Sequence, residues 1–222
     1  MVRMQPNRTF SVVSRAFTPR DLVAGHPAFD LVNTVTAWNT PTPRDWFDGY
    51  ARVLEWARLG ALLEGKCLER LARAAQESPP AAAKALARLK ELRFALHEIF
   101  SDVLAHKRPP ADALAALDRA WHAAQQRTRV EHAGGRVVAQ LAFERSGLDL
   151  PRDTLAAAAV ELLQRLPQDR ARICRGEQCG WLFFDSSKGG HRVWCDMATC
   201  GNAAKTRRHQ HKPPAGARTR RP

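Results

Sequence analysis

Cys174-Arg175-Gly176-Glu177-Gln178-Cys179 is followed, fifteen residues further on, by Cys195-Asp196-Met197-Ala198-Thr199-Cys200. The two C-x4-C pairs have the same spacing. Each offers two thiolates from one tight turn, and the loop between them is long enough to bring the pairs together. That is what a tetrahedral zinc site needs, so Zn2+ is the expected cofactor, with Cys174, Cys179, Cys195 and Cys200 as its ligands. Two disulfides and an iron–sulfur cluster are the competing uses of four cysteines. The repeated spacing favours zinc, and a reducing cytoplasm suits paired metal-binding thiols. With all four positions filled by protein, none stays open for catalysis.

The residues around the cysteines suggest how such a site is built. Trp181-Leu182-Phe183-Phe184-Asp185 reads as a strand, Gly189-Gly190 as a turn, and Arg192-Val193-Trp194 as the returning strand. Gly176 and Gly180 are expected to supply the positive φ of tight metal turns. Phe183 and Phe184 form a small core, and His191 is a turn residue. Cys200 opens a helix over 200–210, which Pro213-Pro214 stops. Knuckle, hairpin and a ligand at a helix start make a treble-clef-like unit, in which the helix dipole favours the last thiolate.

Charge is concentrated in the same place. The 222 residues carry a net charge of +13. From Arg170 to Pro222 there are twelve Lys or Arg against three acids, an excess of nine. A localised excess of this kind is the footprint of a polyanion partner. Lys205, Arg208 and Lys212 share a helix face, Arg207 sits beside them, and Arg192 and Trp194 precede the second knuckle. These six are the candidate nucleic-acid contacts, with DNA preferred over RNA. Arg218, Arg220 and Arg221 extend the charge as a tail. The competing readings are a solvated cationic helix end, and a protein-interaction module anchored by Trp181 and Trp194 on a purely structural finger.

Upstream, alanine and leucine dominate and helical spacing recurs. Helices are expected over 50–63, 66–76, 81–106, 112–125 and 152–166, with Pro-containing breaks between several of them. Phe29, Val32 and Val35 fit another helix seam, 39–49 reads as a polar loop, and Phe10–Val13 as a short strand. Around Gly134-Gly135 the period becomes that of a β-hairpin, 129–132 with 136–143. The expected fold is α+β, mainly α: a helical domain with a β-hairpin over 20–168, a zinc finger over 169–212 and a basic tail over 213–222.

Asp30, Asn33 and Thr34 are polar residues on an apolar segment. They are read either as a buried hydrogen-bond network or as the lining of a pocket for a small-molecule effector. Trp38, Trp46 and Trp56 wall that pocket or belong to the core. Cys67, alone on a helical stretch, reads as a small buried hydrophobe. No P-loop, H-E-x-x-H or G-x-S-x-G is present, and the chain is not expected to be an enzyme. No secretory signal and no membrane span are read from the sequence.

Phe183-Phe184-Asp185, Arg192-Val193-Trp194-Cys195-Asp196-Met197 and Cys200-Gly201-Asn202, set on the cysteine pairs, resemble the CGNR-type zinc finger. Phe29-Asp30-Leu31-Val32-Asn33-Thr34, followed by Tyr50–Leu63, resembles the helical ABATE domain that precedes this finger, so the resemblance spans about 20–212. It implies zinc on the four cysteines, and a role in stress-induced transcription regulation or RNA binding. Where that motif carries arginine, this chain has Ala203, and Val193 replaces one of a pair of arginines. Each departure removes a candidate phosphate or base contact. The N-terminal domain is then expected to sense an effector or to mediate homodimerisation.

Overall fold

A computed structural model describes residues 9–210 of the chain. The first part holds β1 (Ser11–Val12), α1 (Pro27–Val32), β2 (Val35–Thr36) and β3 (Arg44–Asp45). A helical layer follows: α2 (Tyr50–Leu59), α3 (Gly65–Glu77), α4 (Pro79–Leu104) and α5 (Ala111–Arg127). Then come the strands β4 (Thr128–Ala133) and β5 (Arg136–Leu141), the short α6 (Phe143–Ser146) and α7 (Leu150–Gln164). The C-terminal unit has β6 (Ala171–Ile173), β7 (Leu182–Phe184) and α8 (Asn202–Gln210).

Central to the packing is α4, because its apolar stripe is the broadest. Leu89, Leu92, Leu96, Ile99 and Phe100 are all buried, and α1, α2, α3, α5 and α7 pack around it. It starts two residues earlier than the periodicity predicts. Pro79 and Pro80 begin the helix rather than interrupt it, since the first turn has no use for the N–H groups that proline lacks. The predicted hairpin forms with Thr128 opposite Leu141 and Ala133 opposite Arg136. Gly134 and Gly135 have φ of 59° and 77°, and that left-handed pair matches the twist of the strands.

Near the N-terminus the structure differs from the reading of the sequence. The helix carrying Phe29 stops at Val32, and Val35 is a strand residue, although all three side chains are buried. The predicted loop over 39–49 contains β3, which pairs parallel to β1 and antiparallel to β2. What pins so short a strand is the side chain of Asp45. It receives both terminal nitrogens of Arg93 at 2.8 and 2.7 Å and the Lys90 ammonium at 2.8 Å.

One continuous hydrophobic core crosses from the helices into the cysteine-bearing unit. Phe184 stacks on Phe29 with ring centroids 4.9 Å apart. The Trp181 Nε1–H donates to the Val35 carbonyl at 2.8 Å. Asn33 makes a reciprocal pair with Leu182: its amide donates to the Leu182 carbonyl at 2.8 Å and its Oδ1 accepts the Leu182 N–H at 2.9 Å.

Strand pairing in this unit also corrects the reading. β7 pairs antiparallel with β6, around the first knuckle, and not with 192–194. The Arg192 N–H is taken by the Asp185 carboxylate at 2.7 Å and the Val193 carbonyl accepts the Arg175 N–H at 3.0 Å, so the returning segment is fastened by separate bonds instead of a ladder.

Candidate metal centre and nucleic-acid interface

β6 delivers Cys174, whose N–H donates to the Trp181 carbonyl at 2.7 Å and closes the first knuckle. Within the turn, the Cys179 N–H donates to the Gly176 carbonyl at 3.0 Å. Only Gly180 of the two expected glycines has a positive φ, 73°. Gly176 is required for a different reason: a Cβ there would lie 2.9 Å from the Cys179 Cβ and 3.0 Å from the Cys200 Sγ. Cys200 sits in a π-helical turn, Met197–Gly201, whose entry is capped by Asp196 accepting the Ala198 N–H at 3.0 Å. α8 continues directly from that turn.

All four Sγ atoms lie within 4.8 Å of one another. Cys179 and Cys195 are 3.7 Å apart, and Cys195 and Cys200 3.8 Å. A thiolate tetrahedron with metal–sulfur bonds of ~2.3 Å has edges of ~3.8 Å, whereas a disulfide needs ~2.05 Å. All five cysteines are free thiols. Thiol hydrogen bonds from Cys179 and Cys195, with the Cys195 and Gly176 N–H groups, pull the Cys174 thiol well below the ordinary thiol range. The resulting anion pushes Cys179 and Cys195 up, while burial does the same to Cys200. Four sulfurs this close do not ionise together unless a cation is shared between them. The donor set therefore fits a metal ion, held for structure and without an open coordination position.

Of the candidate nucleic-acid contacts, Lys205 and Arg208 stand exposed on α8. Arg207 is half-buried and lies 3.4 Å from the Glu177 carboxylate. Arg192 turns inward: its guanidinium lies 4.6 Å over the Phe183 ring and donates to the carbonyls of Trp194, at 2.8 Å, and Cys195. Trp194 packs half-buried against the core. Lys212 and the tail over 213–222 lie outside the described residues. Ala203 lines a cleft of about 520 Å³ between the metal unit and residues 15–46, together with Arg15, Arg44, Trp46 and Trp181.

The N-terminal polar set divides. Asn33 and Thr34 are turned into the protein, and Thr34 donates to the Leu31 carbonyl while accepting from Arg93. Asp30 accepts the Ala24 N–H at 3.1 Å and borders a separate cavity of about 380 Å³ with His26 and Trp56. Burial raises its carboxyl to about 6. The three tryptophans Trp38, Trp46 and Trp56 are core residues, though Trp46 also walls the cleft.

Two features were missed from the sequence. The first is the buried pair of Arg93 and Asp45, whose signal was an arginine on the apolar face of α4, between Leu89 and Leu96. Burial alone would raise the Asp45 carboxyl, but Arg93 holds it below the ordinary range. The second is the cluster of Arg88, Arg127, Arg152, Asp149 and Asp153, which joins α4, α5 and α7 through the start of the last. No period marks such charges before the helices are assembled.

Among curated proteins none matches the sequence. Residues 170–212 match the family model of the CGNR zinc finger. A second model, ABATE, described as "Putative stress-induced transcription regulator", matches residues 25–165, which is more than half of the chain. With the four-cysteine centre lying inside the first match and the helical layer inside the second, the chain belongs to the ABATE family and carries a C-terminal CGNR zinc finger.

Proposed function

We propose that this chain is a zinc-stabilised transcription regulator that binds DNA through α8. The observation that carries the reading is the placement of Lys205 and Arg208, exposed side by side on a helix that springs from the metal centre. Zinc is the metal that a closed four-thiolate tetrahedron suits best. A helix so anchored presents its cations in a fixed direction, which suits tracking phosphates along a groove. The units 20–168 and 169–212 divide the work, the first sensing an effector or dimerising and the second holding nucleic acid. A reducing cytoplasm keeps the thiols available to the metal.

The inward turn of Arg192 and Trp194, with Ala203 in the place of the motif arginine, favours a second reading. In it the finger is purely structural, a plug that completes the helical core.

A gel-shift series with random duplex DNA and single-stranded RNA, from about 50 to 300 mM salt, separates the two. The expected result is binding whose logarithm falls linearly with log salt. The double change Lys205→Glu/Arg208→Glu should lower the slope by about two and leave metal content intact. Absence of binding at the lowest salt, or binding indifferent to salt, sinks the DNA-binding reading and leaves the structural one.

A further inference from the structure

Among the described residues the sheet formed by β4 and β5 has two strands, and each offers an open edge. Val130 and Val137 are 73% and 72% exposed. They share a face, because Val130 lies opposite Ala139 and Val137 opposite His132. A lone two-stranded ribbon is marginal in water, and a bare edge with exposed valines is a template for pairing. β5 leans on the protein through Leu141 and α7. Residues 129–132 of β4, by contrast, are exposed throughout.

The two-residue turn decides which backbone groups β4 leaves free. With Ala133 opposite Arg136 beside the turn, 129, 131 and 133 bond towards β5, while 128, 130 and 132 point outward. The last turn of α5 takes the Thr128 N–H, which leaves those of Val130 and His132. In Arg129-Val130-Glu131, opposite charges flank the central valine. Antiparallel pairing of this strand with itself, about a two-fold axis through Val130, uses the outward groups. It also sets Arg129 against the Glu131 of the second copy, at the closely spaced positions where side chains meet best. A two-fold axis makes that pair occur twice. The edge of β5, Arg136-Val137-Val138-Ala139, has no such self-complementary pattern.

We infer that the chain forms a homodimer by pairing β4 with β4 of a second copy in this register, giving a continuous four-stranded sheet. A six-residue edge buries less than a standard interface, so a dissociation constant on the order of 10 µM is expected.

Sedimentation equilibrium of the metal-loaded full chain, from about 1 to 200 µM, tests this. Arg129→Glu and Glu131→Arg each place like charges opposite, and each should weaken the dimer by about tenfold or more. The double swap Arg129→Glu/Glu131→Arg should restore it to within about threefold of the parent. Metal content, and thermal melts taken at about 1 µM where the parent is monomeric, should not change, because both side chains are exposed. A parent that stays monomeric throughout overturns the proposal. So does a dimer indifferent to the single swaps, or a double swap as weak as either of them.

Discussion

Asp30 shows how one buried carboxyl can work against the fold that contains it. Its single described hydrogen-bond donor is the Ala24 N–H, and burial raises it from 3.8 to about 6. Between those values the unfolded chain loses its proton first, so stability falls as pH rises through the window. Above about 6 the full cost remains, about 3 kcal/mol. Asp30→Asn keeps an acceptor for Ala24 and removes the charge. The variant should match the parent to within about 0.5 kcal/mol near pH 4 and exceed it by about 2–3 kcal/mol at pH 7.5. Urea midpoints of both proteins across that range are the check, with acid release of metal common to both. A difference that does not grow with pH would show that burial of Asp30 carries no such cost. Asp45 is the opposite case, since the fully buried Arg93 meets it with two hydrogen bonds and leaves it ionised. Removing either partner of that pair would strand a buried charge.

At the level of elements, the two glycines of the first knuckle serve different structures. A Cβ on Gly176 runs into the Cys179 Cβ and the Cys200 sulfur, whereas one on Gly180 meets the Trp38 Cβ at 2.7 Å on a backbone of φ 73°. Gly176→Ala should therefore weaken metal binding roughly tenfold or more, by spreading the sulfurs. Gly180→Ala should chiefly loosen the contact between the knuckle and the helical layer. Competition with a chromophoric chelator distinguishes them, and equal metal affinities in both variants would refute the division.

Elements of this kind also mark how far the sequence could be read. The cysteine spacing, the Gly134-Gly135 turn and the apolar stripe of α4 each follow from a local rule, and each stands in the structure. The pairing of β6 with β7 was not legible, because Ala171-Arg172-Ile173 is too short to show an alternating period. Nor was the inward turn of Arg192. Its direction depends on Phe183 beneath it and on the Asp185 carboxylate across the loop, contacts that exist only after folding.

For the whole molecule, a metal on the four cysteines would do more than close a small appendix. The strand after the first knuckle is bonded to Asn33, Trp181 reaches Val35, and Phe184 covers Phe29, so the metal unit forms one wall of the helical core. A structural zinc site contributes on the order of 10 kcal/mol of folding free energy, as much as a typical domain has in total. The linkage should therefore run both ways: chelation should disturb α1 and β2 as well as the finger. Hydrogen exchange read residue by residue tests this. After metal removal the amides of Asn33, Val35 and Leu182 should all exchange faster, by about two orders of magnitude or more. The exposed hairpin of β4 and β5, which has no bond to the metal unit among the described residues, should change least. Faster exchange confined to residues beyond Arg170, with Asn33 and Val35 still protected, would mean that the helical layer holds its shape without the finger. The reciprocal bonds of Asn33 would then be a consequence of the fold, not a support for it.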